Sequence, residues 1–173
     1  MIAERSRWGA CVALALAACT PALDWREVRS PDSGVVALFP CKPERMERSL
    51  EFAGTPVAMV LQACTVGGAT YALMHANVDD PRRVAAALEG LRAAAAANLG
   101  GTAQAVAPMS VPGMTPNPLA ERLVIEGRDA RGDRVREHAG FFVKGMRVYQ
   151  AVVVGAQLDE AAADTFFSAL RLP

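Results

Sequence analysis

"VAMVLQACTVGGATYALMHANV", residues 57–78, consists of two apolar-rich segments hinged on Gly67 and Gly68. Glycine lacks a Cβ and enters positive φ freely, so a Gly-Gly pair suits a tight hairpin turn. Side chains alternate across a strand, which puts Val57, Met59 and Leu61 on one face of the first segment and Tyr71 and Leu73 together on one face of the second. The stretch therefore predicts two antiparallel neighbours in a sheet.

Upstream, "GVVALFP" (34–40) reads as a buried strand stopped by Pro40, which lacks a ladder donor. Another strand is expected over Met46 to Phe52, and a short first edge over Trp25 to Val28. Downstream, Asp80 and Pro81 supply an N-cap and a first-turn proline. Val84, Leu88, Leu91, Ala95 and Leu99 then recur at helical spacing as far as Gly100 and Gly101. "VPGMTPNP" (111–118) is a crossing loop, followed by strands near 119–128, 134–143 and 147–154 with turns at Gly132 and at Lys144 and Gly145. A closing helix from Asp159 to Leu170 carries the stripe Ala163, Phe166, Phe167 and Leu170. Hairpins and two helices give an α+β class, an antiparallel β-sheet with helices packed against it, as a single domain over 34–173.

The 173 residues include 18 basic and 18 acidic side chains, so no long-range field favours a polyanion and nucleic acid is not expected as a partner. The start of the chain is different in kind. Arg5 and Arg7 precede an eleven-residue apolar run, Trp8 to Ala18, about half the ~20 residues that a spanning helix needs. A basic start, a short apolar core and small residues before a break are the parts of a secretory signal.

Leu16, Ala17, Ala18 and Cys19 resemble the bacterial lipobox. The resemblance implies a signal peptide over 1–18, cleavage between Ala18 and Cys19, and lipid attached to the Cys19 thiol, leaving 19–33 as lipidated N-terminus, tether and first edge. Two or three acyl chains exceed what stable anchoring requires. The expected location is the cell envelope, facing the periplasm, with the outer membrane favoured because Thr20, not Asp, follows the cysteine.

With Cys11 lost in the signal and Cys19 lipidated, Cys41 and Cys64 remain, and an oxidising compartment favours a disulfide between them. One geometric objection stands. In a plain meander they would end strands two apart, about 9 to 10 Å, beyond disulfide reach. A catalytic thiol is the alternative, without a Cys-x-x-Cys motif to support it.

His75 and His138 each lack a His or Cys partner at metal-ligand spacing, and Asp79 and Asp80 read as helix capping, so no metal site is expected. Neither a Gly-x-Ser-x-Gly elbow nor a phosphate-cradling glycine loop occurs, and no catalytic or cofactor-binding residue is assigned. A hairpin turning over Ala130 to Gly132 would set Glu126 against Arg136, Arg128 against Arg134 and Val124 against His138. That charged ladder is either a solvated, salt-bridged surface or a dock for an anionic headgroup or acidic partner. Arg131, Gly132 and Asp133 spell an adhesion tripeptide that carries no weight at a hairpin tip. Trp25, Tyr71 and Tyr149 belong by default to the core.

The order "VVALFP", "ATYAL", "RVYQAVVVG", "FFSALRL" resembles the PsbP-like α/β/α sandwich family, which includes a photosystem II extrinsic subunit, a yeast Ran-binding import factor and many bacterial secreted lipoproteins. The resemblance implies an accessory or interaction module; joined to the lipobox and the lack of catalytic motifs, the expectation is a protein that is not an enzyme, held to the membrane through Cys19 and presented to an envelope protein partner. The alternative is a carrier or sensor of a small apolar or anionic ligand, for which a closed cavity lined by Met59, Leu73 and Met74 would speak.

Overall fold

The computed structural model describes residues 23–52 and 55–173. The expected signal peptide over 1–18, cleavage after Ala18 and lipidation of Cys19 fall outside the described residues. The elements in chain order are β1 (Arg26–Arg29), β2 (Val36–Phe39), β3 (Glu44–Phe52), β4 (Thr55–Val66), β5 (Ala69–Asn77), α1 (Val84–Asn98), β6 (Thr102–Pro108), β7 (Glu121–Arg128), β8 (Arg134–Lys144), β9 (Arg147–Gly155) and α2 (Glu160–Ser168).

Gly67 and Gly68 take φ of 60° and 77°, and Val66 pairs with Ala69 across the turn, joining β4 to β5 as the glycines predict. Among the described residues, seven strands form one antiparallel sheet in the order β3-β4-β5-β9-β8-β7-β6. The reversal after β5 has a simple cause. The chain leaves the sheet through α1, re-enters at the far edge as β6, and walks back through β7, β8 and β9 until β9 meets β5.

Both faces of this sheet are covered. On one, Val57, Met59, Met74, Ile125 and Phe141 pack with Val84, Leu88 and Leu91 of α1. On the other, Tyr71, Leu73, Phe142 and Tyr149 pack with Phe166 and Phe167 of α2 and with Val35, Ala37 and Phe39. Two-sided burial explains why β5 and β9 read as apolar runs with little polar alternation. The layout is α+β, an antiparallel sheet with α1 against one face and α2 against the other.

Four expectations need correcting. Residues 25–28 do not form an edge of the main sheet: β1 pairs with β2 in a two-stranded sheet of its own, stacked on the α2 side. β6 was not foreseen. Asp80 caps a 3-10 turn, Pro81–Arg83, accepting from the Arg82 N–H at 2.9 Å, and α1 follows without a side-chain cap. Finally, Met59 and Met74 face α1 while Leu73 faces α2, so the sheet itself separates the three residues proposed to line one cavity.

The separation of β1 and β2 from the main sheet also removes the objection to the cysteine pair. Cys41 lies in the connection from β2 to β3, just before Glu44, which pairs with Ala63 beside Cys64. The two Cα atoms are 5.9 Å apart and the sulfurs stand at disulfide distance, 2.09 Å.

The end of α1 sits directly on β7. The Arg128 N–H donates to the Leu99 carbonyl at 2.8 Å, and a Cβ on Gly127 would lie 2.3 Å from that same oxygen. Backbone on both sides leaves no room to yield. Gly127→Ala should therefore lower unfolding free energy in urea by about 2 kcal/mol, within the usual cost of overpacking; an unchanged midpoint would mean that α1 does not dock there.

Candidate functional site

The two edges of the sheet are built differently. β3 opens with Glu44, Arg45, Glu47 and Arg48, and Arg45 is ion-paired with Asp32 at 2.7 Å and Glu47 at 2.6 Å. Such charges discourage a further strand from pairing. β6, "TAQAVAP", carries no charge, and all seven of its residues are exposed, Val106 at 55%. Its inner side is paired with β7 from Thr102↔Glu126 to Pro108↔Glu121, with an irregularity between Ala105 and Ala107. Among the described residues, its outer side has no strand beside it in the sheet order.

A hollow flanks β6 on each face. Thr102, Gln104 and Val106 form one wall of a groove of about 390 Å³ completed by Val124, Glu126 and Arg136. Ala103, Ala105 and Leu123 form the floor of a second, also about 390 Å³, between β6 and α1, whose Ala93 and Ala96 line it together with Glu89 and Arg92. The alternation of a strand thus gives β6 two lined grooves, one per face.

At the Thr102 end lies the charged ladder, in the register expected from the sequence: Glu126↔Arg136, Arg128↔Arg134 and Val124↔His138. Arg128 donates to the Gly132 carbonyl at 2.6 Å, and Arg136 lies 3.7 Å from Glu160 of α2. A hollow of about 690 Å³ between the ladder and Leu99 is lined by Arg128, Arg134 and Arg136 against the single carboxylate of Glu126. Further along, Arg122 bonds Asp164 at 3.1 Å and lies over the Phe167 ring, 4.4 Å from its centroid. This corner is cationic and part apolar.

The two histidines are not brought together. Both face the α2 side, but His75 pairs across to Tyr149 and His138 to Val153 and Val124. His138 is buried, with Nε2 3.3 Å from Glu160, and burial holds its pKa below the ordinary value despite that carboxylate. His75 is buried beside Tyr149, ring centroids 5.9 Å apart, and its Nε2 has no hydrogen-bond partner among the described residues. The Tyr149 hydroxyl lies toward Ser33 and Arg147 without reaching hydrogen-bond geometry with either. Among the described residues, no three His, Cys, Asp or Glu side chains converge as a metal site. Asp79, at φ 56°, accepts from Asn77 at 2.7 Å. Arg131 to Asp133 sit in the β7–β8 turn, where Asp129 accepts from the N–H groups of Arg131 and Asp133. Tyr71 and Tyr149 are core residues, and Trp25 packs against the same cluster.

Glu137 is the titratable residue that sequence reasoning missed. It lies opposite Ile125 and Val154, is 8% exposed, and burial raises its pKa to about 7. Burial also depresses His75, to about 4, with Arg147 acting in the same direction and Asp32 against it. The two act on stability with opposite signs. Between pH 4 and 6.5 the unfolded chain protonates His75 and the folded chain does not, so stability falls as pH falls. Between pH 4.5 and 7 the folded chain keeps the Glu137 proton that the unfolded chain releases, so stability falls as pH rises. Through their overlap the profile should be nearly flat, tilted slightly toward higher pH by His138. Glu137→Gln removes the second effect, and its stability should climb by about 2 kcal/mol from pH 4.5 to 6.5. Urea melts across that window check this; parallel profiles for the two proteins would refute it.

The chain matches no family model, and no curated protein is detectably similar to it in sequence.

Proposed function

We propose that this chain is a lipid-anchored accessory protein of the bacterial envelope, facing the periplasm, whose domain holds another envelope protein and catalyses no reaction. In this reading residues 1–18 are a signal peptide, Cys19 carries the lipid, and the outer membrane is the favoured site. The lipobox-like Leu16 to Cys19 supports the address. A sheet with helices against both faces agrees with the PsbP-like α/β/α sandwich proposed from the sequence. The observation that carries the functional part is the contrast between the charged β3 edge and the uncharged, exposed β6 edge with its two grooves.

The test is photocrosslinking in intact cells from a reactive residue at Gln104, with Arg48 on β3 as the control and Cys19→Ala as the unanchored control. A discrete crosslinked species from Gln104, weakened when the anchor is removed, is expected. Absence of crosslinks from every surface position would refute an interaction role. The alternative, a carrier or sensor, retains support only for an anionic ligand, from the three arginines lining the hollow beside Glu126. Saturable phosphate binding abolished by Arg134→Glu would favour it.

A further inference from the structure

We propose that β6 accepts one extended segment of an envelope protein as an eighth strand, antiparallel to β6. That segment carries apolar side chains on the α1 side and an acidic residue toward its carboxyl end. This inference rests on the interaction role above and specifies its chemistry.

Three observations fix the occupant. Among the described residues the backbone of β6 is paired on one side only, and its exposed residues carry no charge that would repel a neighbouring strand. An added strand contributes main-chain hydrogen bonds, and pockets for its alternate side chains give selectivity. Here both rows of pockets exist: the groove floored by Ala103 and Ala105 on the α1 side and the groove beside Thr102, Gln104 and Val106 on the other.

The second observation argues against a second copy of this chain. Two β6 strands related by a two-fold axis would set alanine methyls from both copies over the α1-side groove, and methyl groups do not fill about 390 Å³. Longer apolar side chains do. The third is charge. Thr102 pairs with Glu126, so the start of β6 lies next to the arginine-lined hollow. Every neighbouring pair in the sheet is antiparallel, and an antiparallel newcomer places its carboxyl end there. A carboxylate at that end lies in the field of Arg134 and Arg136, the latter sharing a groove with Thr102 and Gln104; an ammonium is repelled.

The experiment uses the full mature protein in detergent micelles and backbone amide exchange. The probe is a synthetic peptide of alternating valine and threonine ending in two aspartates; a counterpart ends in two lysines. The aspartate peptide should slow exchange over residues 102–107 by about tenfold or more at saturation, leaving 44–52 unchanged. The lysine peptide should bind at least about fivefold more weakly, and Arg134→Glu should reverse that order. Ala105→Lys, which plugs the α1-side groove, should abolish the effect with the thermal midpoint unchanged. No slowing with either peptide, slowing on β3 instead, or concentration-dependent slowing of β6 without peptide would each overturn the proposal, the last in favour of self-pairing. If peptides fail while cellular crosslinks persist, only strand addition falls; if crosslinks fail from every surface, the interaction role falls as well.

Discussion

Phe166→Ala should lower the unfolding free energy by about 4 kcal/mol, the upper part of the range for truncating a buried phenylalanine. Phe166 is fully buried where three layers meet. Its ring stands edge-on to Phe39 of the hairpin at 5.3 Å, to Tyr71 of the sheet at 5.6 Å and to Phe167 of its own helix at 5.6 Å. Edge-to-face contacts add to the area term, and each is lost with the ring. The cavity left behind is lined by other large rings that cannot collapse into it. Urea unfolding at constant m-value measures the loss. A change below about 1 kcal/mol would mean that the hairpin and α2 do not share this core.

The second large effect is expected from the cysteine pair. A bridge between residues 23 apart in sequence stabilises by about 3 kcal/mol in the chain-entropy treatment. It ties the β2–β3 connection, which leaves the hairpin layer, to β4 in the sheet. A Cys41→Ala, Cys64→Ala double variant should therefore melt roughly 10 °C lower than the oxidised protein. Reductant should bring the natural protein down to the same midpoint and leave the variant where it is. Insensitivity of the natural protein to a reductant that reaches buried disulfides would exclude the bridge.

The elements legible in the sequence are those with strong local punctuation. Gly67 and Gly68, the Asp159 cap with its Ala163, Phe166, Phe167 and Leu170 stripe, and the turn at Gly132 each state their geometry within a few residues, and the ladder register follows from that turn alone. β6 was illegible because the apolar positions of "TAQAVAP" are mostly alanine, a poor strand former; it is a strand because β7 offers a partner. The separation of β1 and β2 from the main sheet is equally nonlocal, since a short strand reads the same in either layer. Glu137 and His138, adjacent in "REHAGFF", look like surface charge but are carried into the interior by flanking Ala139, Phe141 and Phe142. The bare edge, which is the heart of the candidate site, could be recognised only once the order of the strands placed β6 outermost.

Amide exchange across residues 102–107, compared between protein kept in isolated envelope membranes and the same protein purified in micelles, addresses tether and edge together. If, as proposed, an envelope partner covers β6 where a lipid on Cys19 holds the domain, exchange there should be at least about tenfold slower in the membranes, with residues 44–52 identical in both. Equal rates over 102–107 in the two preparations would contradict the account.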